Sequence, residues 1–266
     1  MRSIRAVFFS TMTAAGFWAC DELPILGPET LHKINFPLGR SWVYLDSVKI
    51  SGINSAIFVR EVIVTATPSD SLSPELRNLV CLKVTVREGD SLTHSTVWYR
   101  HDDKGLWEVA FQNEETVFAF PRVDAFSGSI EKQIGLAQRK PFRVAEQNKA
   151  ELQQITFRPE PRLVVKYPLQ TGMEWIAFKT PFQRTLRCVK YSTVAVPAGE
   201  FTAFKLEGRG DLNPATDFVM FDYYCSEGLV RRELHWRNLE AYTPSGHPRP
   251  HPFDIDETIV LVDIVG

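Results

Sequence analysis

Residues 56–67, AIFVREVIVTAT, decide the fold class that we predict for this chain. Val, Ile and Thr dominate this stretch, and these residue types favour β-strands. Val80–Glu88, VCLKVTVRE, has the same character. Turn-type residues follow each of the two stretches, at Pro68–Pro74 and at Gly89–Asp90. Because short connections of this kind favour antiparallel hairpins, the sequence predicts a mainly-β fold.

Six more segments have the composition of strands, and one has the composition of a helix. The predicted strands are Thr93–His101, Gly105–Gln112, Arg184–Val196, Phe201–Glu207, Asp217–Tyr224 and Leu229–Trp236. The helical candidate is Phe142–Gln154, which is polar and rich in helix formers. We therefore expect curved antiparallel sheet with one short helical segment.

Two landmarks recur in the same order along the chain. The first is an aromatic residue, Pro and Leu followed by Gly-x-x-Trp, at 36–42 (FPLGRSW) and at 167–175 (YPLQTGMEW). The second is an aromatic pair followed by Gly-Leu, at 98–106 (WYRHDDKGL) and at 223–229 (YYCSEGL). This order suggests one β module used twice, although each landmark is short enough to arise by chance.

The repeat gives a division of the chain. We predict a signal peptide, a lipidated tether, a first β module, a linker with the helix, a second β module, and a Pro-rich linker with a C-terminal strand. In that order, the ranges are 1–19, 20–34, 35–128, 129–159, 160–240 and 241–266. Within the modules, Pro and Gly mark the entry to a strand, and the following Trp42 and Trp175 are expected to anchor it as buried scaffold.

These motifs resemble those of secreted and lipid-anchored bacterial proteins of unknown function. The resemblance rests on FPLGRSW, YPLQTGMEW, VPAGEF at 196–201 and YYCSEGLV at 223–230, and it covers mainly residues 36–45 and 162–235. It implies a curved antiparallel sheet similar to the open half-barrels of periplasmic lipoprotein carriers. It supplies no catalytic residues. The chain departs from the family pattern by placing Cys225 and Glu227 inside the last motif.

The first twenty residues are typical of an export signal. Arg2 and Arg5 precede an uncharged, mostly apolar stretch, 6–19, which is too short to span a bilayer. A small residue then precedes Cys20, which resembles the lipobox of bacterial lipoproteins, although Phe17 and Trp18 depart from its usual pattern. The resemblance implies cleavage before Cys20 and acylation of that cysteine, for example with palmitate. An ordinary secretory signal and an uncleaved anchor are the alternatives.

Acylation would place the protein in the cell envelope, with the membrane as its partner through the N-terminal anchor. It leaves open whether this is the inner or the outer membrane. A secreted or periplasmic protein is the alternative location. Lys and Arg number 30 against 32 for Asp and Glu, so the chain has no basic excess of the kind that binds nucleic acid.

No pattern predicts a catalytic, cofactor or metal site. His247 and His251 stand in a Pro-rich run that prevents the helix on which they would converge, so we expect a surface linker there. Cys188 and Cys225 are the best candidates for a disulfide, since they lie in the same predicted module. The alternative is that they and Cys81 are buried free thiols.

Three function classes follow, in decreasing order of support. The first is a non-catalytic envelope lipoprotein that binds an apolar ligand, such as a lipid, or an envelope protein through its curved sheet. Its support is the signal, the resemblance and an aromatic supply of 18 Phe and 6 Trp. The second is a structural or assembly lipoprotein without a small ligand, and the third is an envelope hydrolase.

Overall fold

The computed structural model describes residues 29–52, 56–69, 74–112, 155–179, 183–210, 217–239 and 252–266. Three predictions lie outside these ranges: the signal with Cys20, the helix over Phe142–Gln154, and the linker with His247 and His251. No helix in the described part of the chain is long and apolar enough to cross a membrane.

Twelve strands and one 3₁₀ turn, Pro74–Leu76, make up the described structure. The strands are β1 (Ser41–Ser51), β2 (Ala56–Thr67), β3 (Val80–Glu88), β4 (Ser91–Asp102), β5 (Gly105–Gln112), β6 (Thr156–Lys166), β7 (Glu174–Phe178), β8 (Arg184–Val196), β9 (Gly199–Gly210), β10 (Asp217–Cys225), β11 (Gly228–Leu239) and β12 (Phe253–Val265).

All twelve strands belong to one antiparallel sheet that curls almost into a closed barrel. Their order is β6-β5-β4-β3-β2-β1-β12-β11-β10-β9-β8-β7. The two end strands of this order, β6 and β7, lie side by side. A hydrogen bond of 3.1 Å joins them, donated by the Nε1 of Trp175 on β7 to the carbonyl of Leu163 on β6. The predicted mainly-β, curved antiparallel fold is therefore confirmed, and the sheet closes further than a half-barrel.

The sheet consists of two six-stranded meanders, β1–β6 and β7–β12, which meet where β1 pairs with β12. The strand β6 begins at Thr156, inside the range 129–159 that we expected to be a linker, and it pairs with β5. It thus extends the first meander, as β12 extends the second.

The two Gly-x-x-Trp landmarks have the same local structure. Gly39 and Gly172 both adopt the left-handed backbone, with φ of 83° and 89°. Each donates its amide to a backbone carbonyl one strand further along than the strand it leads into, Gly39 to Ala66 on β2 and Gly172 to Cys188 on β8, both at 2.8 Å. A positive φ favours glycine, since other residues are strained there. The repeat seen in the sequence is therefore a repeat of turn geometry.

The second landmark also repeats. The pairing of β4 with β5 shifts register between Trp98 and Tyr99, and that of β10 with β11 shifts between Tyr223 and Tyr224. In both hairpins the first ring joins a cluster on the outer face of the sheet, and the second ring joins the main core. Successive side chains of a strand point to opposite faces, so each aromatic pair places one ring on each side of the sheet.

Residues 29–40 pack across one end of the barrel, which we call the plugged end. Leu31 exchanges two backbone hydrogen bonds with Leu169, at 3.0 and 2.9 Å, and both side chains are buried. Ile34 is fully buried, and its amide donates to the hydroxyl of Tyr167 at 3.1 Å. The predicted tether over 20–34 is therefore too long at its C-terminal end, because residues 29–34 belong to the folded body.

Candidate functional site in the barrel interior

Five rings line a small cavity just inside the plugged end, and we call this region the aromatic end. The rings are those of Phe36, Trp42, Tyr44, Tyr99 and Tyr224. The cavity has a volume of about 30 Å³. That is room for one or two water molecules, whereas small-molecule sites occupy roughly 300–1,000 Å³. The aromatic end is therefore filled by the protein's own side chains.

Two of these rings use their polar atoms in hydrogen bonds within the protein. The Nε1 of Trp42 donates to the carbonyl of Glu227 at 2.7 Å, and the hydroxyl of Tyr44 donates to the carbonyl of Leu229 at 2.9 Å. Phe36 contacts Trp42 edge to face, with ring centroids 5.8 Å apart. Burial raises the pKa of Tyr44 well above its ordinary value, so the phenol stays protonated as a donor. These contacts are those of a scaffold.

A layer of charged side chains crosses the interior next to the aromatic end, and we call it the ionic layer. On three strands, a charged residue of the layer stands two positions away from a residue that lines the cavity. Alternate residues of a strand share a face, so both members of each pair point into the interior. The pairs are Tyr44 and Asp46 on β1, Leu106 and Glu108 on β5, and Tyr224 and Asp222 on β10. The layer comprises Asp46, Arg60, Glu108, Asp222, Arg232 and Glu257.

Asp222 and Arg232 form a buried bidentate pair. Arg232 donates from Nε to Oδ1 at 2.6 Å and from Nη2 to Oδ2 at 2.7 Å. Burial by itself lowers the pKa of Arg232, but the facing carboxylate of Asp222 outweighs it and the pKa is raised. The guanidinium is therefore charged, and its charge is matched across the hairpin of β10 and β11.

Asp46 and Glu257 share one arginine. The Nε of Arg60 donates to Asp46 at 2.5 Å, and its Nη2 donates to Glu257 at 3.4 Å. Burial and the neighbouring Asp46 carboxylate raise the pKa of Glu257 to about 7, and burial also raises the pKa of Asp46. Because two carboxylates in one site resist ionising together, the pair holds a proton more readily than either carboxyl would in water.

Near β6 the interior contains further arginines. Glu108 accepts a hydrogen bond from the Nε of Arg158 at 2.6 Å, and Arg162 lies 3.9 Å away. The guanidinium of Arg184, which is fully buried, lies over the ring of Phe218 with its central carbon 4.2 Å from the centroid. Burial, then the like charge of Arg232, lowers the pKa of Arg184 to about 9, so it is still a cation at neutral pH.

The carboxylates of the ionic layer are paired with arginines. Each carboxylate of the ionic layer contacts an arginine, and Asp46 and Glu108 are fully buried. General acid–base work needs a group that a substrate can reach. Within the residues that the structure describes, no three His, Cys, Asp or Glu side chains group closely enough to hold a metal ion.

The two candidate disulfide cysteines lie in different clusters. Cys188 is buried in the main core, where burial raises the pKa of its thiol to about 11. Cys225 belongs to a smaller cluster with Tyr223 and Val230 on the outer face. Both thiols are free, as is that of Cys81, so the structure does not form the bridge between Cys188 and Cys225. Burial raises the pKa of Cys225 as well, which keeps that thiol protonated.

Exposed apolar side chains cross three neighbouring strands on the outside of the sheet, and we call this surface the outer apolar face. It comprises Ile57 and Val59 on β2, Leu45 on β1 and Val262 on β12. Ile57 is 72% exposed, Val59 54% and Leu45 41%. The register places Val59 opposite Ser47, two residues from Leu45. Val59 and Leu45 are therefore diagonal neighbours, within reach of each other, while Lys49 lies opposite Ile57 and Glu61 opposite Leu45.

The sequence contains one signal for the ionic layer, the parity of residues along a strand. In β1, Asp46 has the same parity as the buried Trp42 and Tyr44, and parity decides which face of a strand a residue occupies. Arg231 and Arg232 are adjacent on β11 and therefore point to opposite faces of the strand. The structure buries Arg232 and leaves Arg231 partly exposed.

Comparisons with known proteins yield two solved structures and nothing more specific. No family model and no curated protein matches the chain.

One structure is of a protein of YmcC-like fold from Bacteroides fragilis NCTC 9343 that is thought to be exported. It is 11% identical, with a TM-score of 0.41, over 90% of this chain and 100% of that chain. The other is of a protein from Parabacteroides distasonis ATCC 8503 that is thought to be a lipoprotein. It is 12% identical, with a TM-score of 0.37, over 89% of this chain and 99% of that chain. Both scores are below 0.5, so neither protein decides the function or location of this one.

Proposed function

We propose that this chain is a non-catalytic lipoprotein of a bacterial cell envelope that binds a protein partner through the outer apolar face. The N-terminal signal ending at Cys20 supports the envelope and the anchor. The side chains that fill the barrel support a partner outside rather than a ligand inside. The observation that carries the proposal is the outer apolar face, because exposed apolar surface across adjacent strands is typical of interaction sites.

An apolar ligand in the interior is the less favoured alternative. The described cavity of about 30 Å³ would need to grow roughly tenfold to hold a drug-sized ligand. A structural lipoprotein with no partner on this face is the second alternative. A hydrolase has the least support, since the interior carboxylates are buried against arginines.

Site-specific photo-crosslinking in native envelopes tests the proposal. A photoreactive residue in place of Leu45 should give one discrete protein adduct. The same residue in place of Leu92, which is 52% exposed on β4 and lies outside the outer apolar face, is the matched control and should give none. Adding Val59→Glu to the Leu45 variant should remove the adduct, because a charge would then face the partner.

The possible results distinguish the three alternatives. A third variant carries the photoreactive residue in place of Phe36, which lines the interior cavity. A lipid adduct at this position, without a protein adduct at Leu45, would favour the ligand alternative. No adduct at Leu45, or equal adducts at Leu45 and Leu92, would favour the structural alternative.

A further inference from the structure

We infer that the plugged end of the barrel faces the membrane and that Leu38 and Val265 contact its lipid headgroups. This inference rests on the proposed acyl anchor at Cys20. Its basis is where the described structure begins: Glu29 is its first residue, and residues 29–40 cover the plugged end rather than the side or the far end of the barrel. Any anchor before Glu29 is thus attached to the plugged end.

The folded chain is held firmly at this place. Besides the two bonds between Leu31 and Leu169, the amide of Asn35 donates to the carbonyl of Ser226 at 2.7 Å. Gln170 donates from Nε2 to the hydroxyl of Thr30 at 3.0 Å. Phe36 contacts the rings of Trp42 and His101. The first described residues, from Glu29 onward, are therefore held at the plugged end.

The length of the tether limits how the barrel can lie on a membrane. Glu29 follows Cys20 by nine positions in the sequence. Whatever its conformation, a chain of that length spans at most about 30 Å. The strand β12 has 13 residues. At ~3.3 Å per residue and a typical tilt of ~40°, a barrel of such strands is about 30 Å high. The far end could touch the membrane only with the tether fully stretched along the whole barrel.

The surface of the plugged end suits a lipid interface. Leu38 is 69% exposed at its rim, and Val265 is 52% exposed close by, because it pairs with Ser41. The exposed Lys33 and Lys104 lie at the same end, together with the exposed acidic residues Glu29 and Asp103. Short apolar side chains with neighbouring lysines favour the headgroup region, where the apolar part is shielded and the ammonium group stays hydrated.

Fluorescence quenching by headgroup-labelled lipid tests this orientation. Three single variants of the full acylated protein, Leu38→Cys, Leu92→Cys and Val59→Cys, would each carry an environment-sensitive dye. Cys20 is acylated in that protein, and Cys81, Cys188 and Cys225 are buried, so the dye reacts with the introduced thiol. The proteins would be reconstituted in vesicles of phosphatidylethanolamine and phosphatidylglycerol that contain a nitroxide headgroup lipid.

We expect the dye at Leu38 to lose most of its emission, and the dyes at Leu92 and Val59 to keep theirs. Stronger quenching at Leu92 would mean that the barrel is inverted, and stronger quenching at Val59 that it lies on its outer apolar face; either result overturns the inference. Equal quenching at all three positions also overturns it. Protein that carries no acyl group and does not join the vesicles would instead refute the anchor, and with it the proposed function.

Discussion

The aromatic end and the ionic layer lie next to each other inside one barrel, but they are stabilised in different ways. At the aromatic end, large rings bury apolar area and give single hydrogen bonds to backbone carbonyls, as Trp42 and Tyr44 do. In the ionic layer, side chains such as Asp222 and Arg232 satisfy each other. Removing a ring leaves a cavity, whereas removing one ion leaves its partner charged and buried. The comparison teaches that similarly buried side chains lose stability for different reasons when mutated, a cavity in one region and an unpaired charge in the other.

The largest effect is expected at the two repeated tryptophans. Trp42→Ala and Trp175→Ala each remove a buried ring and a hydrogen bond to a backbone carbonyl. Large-to-small core changes of this type cost ~3–5 kcal/mol of unfolding free energy. For a domain of this size the melting temperature should fall by roughly 10 °C, measured by thermal unfolding of the ligand-free protein.

Trp107→Ala is the matched control for the tryptophans. Trp107 is only partly buried, and its indole bonds to the side chain of Asp102. We expect a clearly smaller fall in melting temperature. Shifts of only a degree or two for Trp42→Ala and Trp175→Ala would contradict a scaffold role for these residues.

In the ionic layer, a single change should do more harm than a double one. Arg232→Met leaves the Asp222 carboxylate buried without its bidentate partner, which typically costs ~3–5 kcal/mol. Adding Asp222→Leu removes that charge as well and should restore most of the lost stability. Chemical denaturation of the wild type, both single variants and the double variant measures this. If the double variant loses as much unfolding free energy as the two single variants lose together, the pair does not act as a unit.

A smaller effect concerns pH. The pKa of Glu257 rises from its ordinary 4.5 to about 7 in the folded protein. Between those values the native state binds more protons than the unfolded chain, so this group makes stability fall as pH rises. Glu257→Gln cannot ionise and should lack that fall. We expect the stability difference between variant and wild type to change by about 1–3 kcal/mol across this window.

His101 makes this comparison with the wild type necessary. Burial, then the charge of Lys33, lowers the pKa of His101 from 6.5 to about 4, so this group makes stability rise with pH over that window. Both proteins contain His101, and the difference between them isolates Glu257. Parallel stability curves for Glu257→Gln and the wild type would contradict the shared-proton account of Asp46 and Glu257.

The strands could be predicted where their composition was uniform. Four of them, β2, β3, β5 and β8, have the bounds expected from the sequence. The strand β6 was missed because Pro159 and Pro161 interrupt it and look like linker residues. A proline is tolerated there since β6 is an end strand of the sheet, with a hydrogen-bonded neighbour on one side only.

The interior was harder to predict than the strands. The parity of Asp46 and Arg232 places them inward, but a charged residue in a strand usually faces solvent, so parity alone was not enough. Their burial depends on partners brought from other strands, such as Arg60 for Asp46 and Asp222 for Arg232. The outer apolar face likewise depends on the register between β2, β1 and β12, which composition does not give.

The most direct test of the account is the mass of the mature protein purified from membranes, because the anchor, the orientation and the envelope partner all depend on Cys20. We expect a chain that begins at Cys20 and carries the added mass of its acyl groups, and a Cys20→Ala variant that is unacylated and remains uncleaved or soluble in the envelope. A wild-type protein that is fully soluble, with an unmodified N-terminus, would contradict the central claim.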